Sequence, residues 1–178
     1  MSKHLSNVSK GLHLEDAITI TLDMLKDGGR VIENYRLLNS HDYPDFYVLD
    51  AKKREWLLEC KNLAVKKFES GDTWLHNINW VNKNILNKKW KERSYELYGT
   101  QHYDRERKSR VNDRITIRSN GPIPLLVISH FYFDTNAYGA LIDFFGSDHI
   151  ILTGEQIIPP SPWIMHVFGE LRRVFTTD

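Results

Sequence analysis

Residues 43–61 read YPDFYVLDAKKREWLLECK, two apolar stretches separated by a charged turn at residues 51–54. This pattern predicts a β-hairpin. Because successive side chains of a strand point to opposite faces, Glu59 and Lys61 share one face of the second strand. Antiparallel pairing can bring Asp45, at the start of the first strand, beside them, since cross-strand neighbours have Cβ atoms about 5 Å apart. The hairpin is therefore expected to carry two carboxylates and an ammonium group at one end.

Such a cluster predicts a divalent-metal site and the hydrolysis of a phosphodiester. Magnesium prefers oxygen ligands and commonly uses one or two carboxylates together with waters and phosphate oxygens. A metal held by Asp45 and Glu59 would lower the pKa of a bound water and neutralise charge on a phosphate. Lys61 would position or help deprotonate the attacking water and stabilise the developing negative charge. We therefore expect Mg²⁺ or Mn²⁺ as the cofactor.

The same residues resemble a known nuclease signature. Pro44-Asp45 followed by Glu59-Cys60-Lys61 resembles the PD-(D/E)xK motif of the restriction-endonuclease-like nuclease superfamily. The resemblance implies a magnesium-dependent deoxyribonuclease in which Asp45 and Glu59 bind the metal together with the backbone carbonyl of Cys60. It also implies that Lys61 is the catalytic lysine.

A further acid is implied at the start of the chain. Residues 10–15, which open a predicted helix, resemble the start of archaeal Holliday-junction resolvases, where a glutamate of the first helix joins the metal site. Glu15 matches that position. The alternative for Glu15 is a helix-start glutamate favoured by the helix dipole. Glu33, on the first predicted strand, is a second candidate for the upstream acid.

The order of predicted elements gives the fold class. Apolar residues at helical spacing predict a helix over residues 12–26, and residues 30–37 are predicted to form a strand before the hairpin. Near the end of the chain a buried strand, a short helix and a second strand (residues 149–152) resemble the closing βαβ unit of Mrr-type and resolvase-type nucleases. We expect an α/β domain of restriction-endonuclease-like architecture with a mixed central sheet flanked by helices, including a three-stranded antiparallel meander.

Residues 64–118 are rich in basic and aromatic side chains and are predicted to form a helical insertion after the Glu59-Cys60-Lys61 strand. Basic side chains beside a phosphodiesterase site favour contact with the DNA backbone, although charge runs are commonly solvated surface. The aromatic residues are expected mainly in the core, and Gln101 is given no catalytic role. The predicted DNA-binding residues are Arg105, Arg107, Lys108, Arg110, Lys88 and Lys89.

The composition limits the remaining possibilities. A chain of 178 residues with a net charge of +1 suits a single domain, residues 1–178, whose affinity for DNA must come from a local patch. One cysteine excludes an intramolecular disulfide and any zinc site built on several cysteines. No signal peptide, membrane span or phosphate-binding glycine loop is recognisable, and a soluble, cytoplasmic protein is predicted.

Two expectations concern partners. DNA is the predicted substrate, and the alternative is a nucleic-acid-binding protein that has the nuclease fold without catalysis. A third possibility is a structural domain in which Asp45, Glu59 and Lys61 form only an ion-pair cluster.

The apolar stripe of the last helix is expected to pack on the sheet or to form a dimer seam. A homodimer is predicted because nucleases that cut both strands are often twofold dimers.

Overall fold

The structure is a computed structural model that describes residues 13–63, 69–71, 74–156 and 160–178. A π-helical turn (Asn82–Leu86) follows the short helix Ile78–Val81, and a 3₁₀ turn (Ser147–His149) precedes the strand Ile150–Leu152. The elements in chain order are α1 (Leu14–Asp27), β1 (Val31–Arg36), β2 (Phe46–Asp50), β3 (Glu55–Lys61), α2 (Ile78–Val81), β4 (Ser94–Asp104), β5 (Ser109–Thr116), β6 (Ile123–Ile128), α3 (Thr135–Phe145), β7 (Ile150–Leu152) and α4 (Ser161–Thr176).

The β2–β3 hairpin is fixed by its turn. The side chain of Asp50 accepts hydrogen bonds from the backbone N–H of Lys52 and of Arg54, both at 2.9 Å, and from the indole of Trp56 at 2.9 Å. Lys53 takes a left-handed conformation with φ of 63°. These contacts set the register, in which Phe46 pairs with Leu58. The predicted hairpin is confirmed.

Five strands form one mixed sheet in the order β1-β2-β3-β6-β7. The β1–β2 and β2–β3 pairs are antiparallel, whereas the β3–β6 and β6–β7 pairs are parallel. Helix α3 connects the last two strands, and its first turn is capped by the Asp134 carboxylate, which accepts a hydrogen bond from Ala137 N at 2.9 Å. The predicted antiparallel meander and closing βαβ unit are both confirmed, as is the mixed α/β class.

Two apolar layers cover the sheet. On one face α1 and α4 pack against Trp56, Leu58 and Cys60 of β3. On the other face Leu57 packs with α3 and with residues of the insertion. The period-2 alternation of β3 therefore gives each layer its own set of side chains. The apolar stripe of α4 packs within the protomer, as expected: Val167, Leu171, Val174 and Phe175 are all buried in the first layer.

The insertion differs from its predicted form. Of the insertion residues that the structure describes, only 78–86 are helical, as one α-helical turn that continues into the π-helical turn. The prediction of a helical insertion is wrong for β4 and β5, which form a separate antiparallel hairpin. The physical reason is local: Tyr95 and Leu97 are buried, whereas Ser94 and Glu96, which alternate with them, are not, and this is strand periodicity. Residues 64–68 and 72–73 of the predicted insertion lie outside the described residues.

Within the described ranges, no helix has both the length and the apolar character required to cross a membrane.

Candidate active site

Asp45 is held rigidly between two strands. Its backbone N–H donates to the carbonyl of Leu58, and its own carbonyl accepts from Leu37 N, both at 2.8 Å. Its Oδ2 atom accepts a hydrogen bond from the backbone N–H of Cys60 at 2.7 Å. Burial raises the pKa of Asp45, and the Cys60 hydrogen bond opposes this increase. Asp45 is thus placed at the same end of the hairpin as Glu59, as the sequence predicted.

Glu59 is a completely buried carboxylate. Its Oε1 atom lies 3.2 Å from Nζ of Lys61 and 3.1 Å from Nζ of Lys88. Its Oε2 atom is buried and has no hydrogen-bond partner among the described residues. Burial is the main cause that raises the pKa of Glu59 to about 8, and the charge of Asp45 adds to it, whereas the two lysines act in the opposite direction.

Lys61 ends β3 on the same side of the strand as Glu59, in agreement with the period-2 prediction. Its side chain is 21% exposed. It is therefore the less enclosed of the two lysines that contact Glu59, since the side chain of Lys88 is only 3% exposed. An ammonium group at this position is bound to the buried carboxylate and still accessible to a ligand.

Lys88 belongs to the site, and the sequence did not indicate this. It follows the π-helical turn, and its ammonium group also donates to the backbone carbonyl of Tyr43 at 3.3 Å. A buried side chain cannot contact DNA phosphates from the surface, so the predicted role does not suit Lys88 in this conformation. The adjacent Lys89 is exposed, with its Nζ atom 5.3 Å from the centre of the Tyr43 ring. No local sequence signal distinguishes these two lysines, because their difference arises from the contact with the loop before Asp45.

A cleft of about 220 Å³ opens beside Asp45. Glu15, at the first turn of α1, lines this cleft together with Asp45, and its charge contributes to the raised pKa of Asp45. Glu33 instead pairs with Leu49, near the other end of β2. Of the two candidates for the upstream acid, Glu15 is therefore the one that lies near Asp45. Arg36, ion-paired with Asp16 at 3.2 Å, forms part of the cleft wall.

The carboxylates around Asp45 suit a hard divalent cation only in part. Asp45, Glu59 and Glu15 supply carboxylate oxygens, which Mg²⁺ prefers, and the buried Oε2 of Glu59 lacks a partner within the described chain. Across those same residues, however, no group of three or more His, Cys, Asp or Glu side chains is arranged to hold a metal ion. Burial raises the pKa of the Cys60 thiol well above its usual value, so Cys60 could act only through its backbone.

The other predicted DNA-binding residues lie away from this cluster. Arg105, Arg107, Lys108 and Arg110 are all exposed at the tip of the β4–β5 hairpin. Gln101, also exposed on this hairpin, donates a hydrogen bond to Asn112 at 3.0 Å. These residues are brought together by the hairpin turn.

Comparison with protein-family models, with curated proteins and with solved structures gives no match to this chain.

Proposed function

We propose that this protein is a divalent-metal-dependent endonuclease that hydrolyses DNA phosphodiester bonds. The observation that carries the proposal is the meeting of Asp45, Glu59 and Lys61 at one end of the β2–β3 hairpin, with one oxygen of the buried Glu59 carboxylate left without a hydrogen-bond partner in the described chain. Keeping two carboxylates close together in a buried setting is unfavourable unless a cation is nearby. The arrangement thus suits binding of a divalent cation next to a lysine.

The proposal includes the restriction-endonuclease-like fold. Its support is the element order: a helix, an antiparallel meander of three strands and a parallel βαβ unit, with Asp45 directly before β2 and Glu59 on the neighbouring strand β3. This is the order that the resemblance to PD-(D/E)xK nucleases implies. Within that superfamily a Holliday-junction resolvase, or another site- or structure-specific endonuclease, is the activity we propose.

Each residue has a proposed role. Asp45 and Glu59 would hold the metal ion, with Glu15 and the backbone carbonyl of Cys60. When bound, the metal would lower the pKa of a water and neutralise charge on the phosphate. Lys61 would orient the water that attacks phosphorus and stabilise the added negative charge. As the new phosphorus–oxygen bond forms and the bond to the leaving group breaks, the proton of the water would pass through solvent to the leaving oxygen. The Cys60 N–H keeps Asp45 in one orientation.

The test is a cleavage assay with Mg²⁺ or Mn²⁺ on a four-way junction, a flap, a linear duplex, a supercoiled plasmid and a single strand. The parent protein is expected to cut at least one of these substrates, and Lys61→Ala to cut none. Removing the metal with a chelator should stop cleavage. Metal-dependent cutting that persists unchanged in Lys61→Ala would show that the active site lies elsewhere.

A second candidate is a nucleic-acid-binding protein without catalysis. The observation that favours it is that Lys61 and Lys88 both contact Oε1 of Glu59, so the charges of Asp45 and Glu59 are balanced without a metal. In that case Mg²⁺ should not raise the melting temperature, and DNA should be bound but not cut under any condition of the assay. A nuclease site should instead give a melting temperature that rises with Mg²⁺ concentration.

A homodimer forms part of the proposal, because a twofold dimer places one active site against each strand of a duplex. Sedimentation of the protein alone and with duplex DNA measures this directly. We also propose an intracellular, cytoplasmic location, because the proposed substrate is DNA.

A further inference from the structure

The β4–β5 hairpin has an outer part that has no apolar core of its own. We define this part, residues 98–111, as the arm. On β4 the buried positions end at Leu97, and residues 98–103 are all exposed. The exposed fraction is 51% for Tyr98 and 60% for Tyr103. An isolated two-stranded hairpin is only marginally stable in water. The arm therefore adds little to the stability of the fold, and this indicates a role in binding.

The arm starts at the mouth of the cleft that contains Asp45. Leu37, which lines that cleft, forms a β-bridge with Leu97, and Leu38 N donates to the carbonyl of Glu96 at 2.8 Å. The guanidinium of Arg36 lies 4.8 Å from the centre of the Tyr98 ring. A ligand that lies across the cleft would therefore meet the base of the arm.

A change of register lies at the base of the arm. Glu96 pairs with Arg114, but the next regular pair is Gln101 with Asn112, so β4 bulges between them. Gly99, within the bulge, has φ of 78°, a conformation that residues with a Cβ rarely adopt. Bulges bend a strand and increase its twist. The bulge therefore sets the direction in which the arm leaves the sheet.

The tip of the arm is positively charged. Of its acidic residues, Asp104 is used within the turn, where its Oδ1 atom accepts hydrogen bonds from Glu106 N at 2.9 Å and Arg107 N at 3.1 Å. The basic residues outnumber the acidic ones, Asp104 and Glu106. They are Arg105, Arg107, Lys108 and Arg110.

We propose that the arm lies in the major groove of a DNA duplex bound across the cleft, so that the substrate class is double-stranded DNA. This inference rests on the proposed function, because it assigns the substrate of that same site. The major groove is about 12 Å wide and admits a two-stranded β-ribbon. The length of the hairpin is given by β5, which carries no bulge: at about 3.4 Å per residue, the five steps from Arg114 to Ser109 extend roughly 17 Å. This is enough to follow the groove while the basic tip contacts phosphates on either side.

The test measures binding without cleavage. The arm variant Arg105→Ala/Lys108→Gly/Arg110→Ala removes three charges, and glycine suits position 108 because Lys108 has φ of 51°. Binding of a labelled 30-base-pair duplex, and of a single strand of the same length, is followed by fluorescence anisotropy in the presence of a chelator. We expect the duplex Kd to rise at least tenfold at 0.1 M salt, with little change for the single strand. The slope of log K against log salt should fall by about 2.7, since each lost phosphate contact removes about 0.9.

The matched control, Lys26→Ala/Arg30→Ala/Arg172→Ala, removes three charges from exposed positions at the far end of α1 and on α4. It should bind the duplex within twofold of the parent. Equal weakening by both variants would mean that only overall charge matters and would overturn the inference. Circular dichroism and thermal melting establish that both variants are folded.

A separate measurement tests whether the arm lies in the major groove. A duplex whose pyrimidines carry bulky 5-substituents has its major groove filled, and the parent should bind it as weakly as the arm variant binds plain duplex. Equal binding of the two duplexes by the parent would exclude the major groove.

The two proposals fail in different ways. If the protein never cuts DNA but its duplex binding depends on the arm, the nuclease proposal fails and the arm inference holds. If it cuts DNA and the arm variant binds duplex like the parent, the arm inference fails alone. A parent protein that does not bind duplex at all also overturns the arm inference.

Discussion

The buried ammonium group of Lys88 lies 3.1 Å from Oε1 of Glu59, the same oxygen that Lys61 contacts at 3.2 Å. The insertion thus supplies a side chain to a cluster that is otherwise formed by the β2–β3 hairpin. Because Lys88 also donates to the carbonyl of Tyr43, it connects the buried glutamate to the loop that leads into Asp45. This link makes the position of the insertion part of the geometry of the site.

Removing the Lys88 ammonium should destabilise the fold through Glu59. Above about pH 8, where Glu59 is ionised, Lys88→Met leaves its buried carboxylate with one cation instead of two. At that pH we expect a loss of about 1–3 kcal/mol in the free energy of unfolding. In the Glu59→Gln background the same substitution should cost less, because the buried charge is gone. Urea denaturation of the four proteins in this double-mutant cycle measures the coupling. Strictly additive effects would mean that the two side chains do not interact energetically.

The stability of the protein should depend on pH through Glu59. Its pKa is raised from 4.5 to about 8 in the folded protein, so between these values the folded state holds a proton that the unfolded chain releases. The contribution of Glu59 to stability is therefore fully present below about pH 4.5 and is lost as the pH rises through about 8, by at most about 1.4 kcal/mol per pH unit. Melting temperatures of the parent and of Glu59→Gln from pH 5 to 9 test this. The gap between them should change across the range, and parallel curves would contradict the expectation.

Neutralising Asp45 should abolish activity and preserve the fold. Asp45→Asn retains an oxygen that can accept the hydrogen bond from Cys60 N but removes the charge that a cation needs. We expect cleavage to fall by about 10²–10³-fold or more and the Mg²⁺-dependent rise in melting temperature to disappear. Asp143→Asn is the matched control, since Asp143 is exposed on α3. Full activity in Asp45→Asn would rule out its role as a metal ligand.

Glu15 and Glu33 provide a second matched pair. Glu15 shares the cleft with Asp45, whereas Glu33 lies opposite Leu49. Glu15→Gln is expected to weaken Mg²⁺ binding about 10- to 100-fold, in the range seen when groups that support a metal site are removed. Glu33→Gln should leave Mg²⁺ binding unchanged. Titration of the melting temperature with Mg²⁺ measures both, and the reverse ranking would make Glu33 the upstream acid.

The features predictable from the sequence are those set by neighbouring residues. The alternation in β3 placed Glu59 and Lys61 on one face, and the charged turn after Asp50 indicated the hairpin. The role of Lys88 depends on how the insertion folds back onto Tyr43, which no local pattern encodes. The β4–β5 hairpin was missed because only Tyr95 and Leu97 show buried alternation, while the exposed arm has no apolar pattern from which a period can be read.

The two parts of the molecule should differ in their exchange of amide hydrogens with solvent. The amides of Asp45 and Cys60 are hydrogen-bonded inside the hairpin that carries the candidate site, so they should exchange only when the whole sheet opens. Most residues of the arm are exposed to solvent, so the amides of the arm should exchange faster than those of the sheet. Changes in the arm would leave the sheet packed as before. Under the proposed function, the preferred DNA target would then change over evolution without any change in the residues proposed for catalysis.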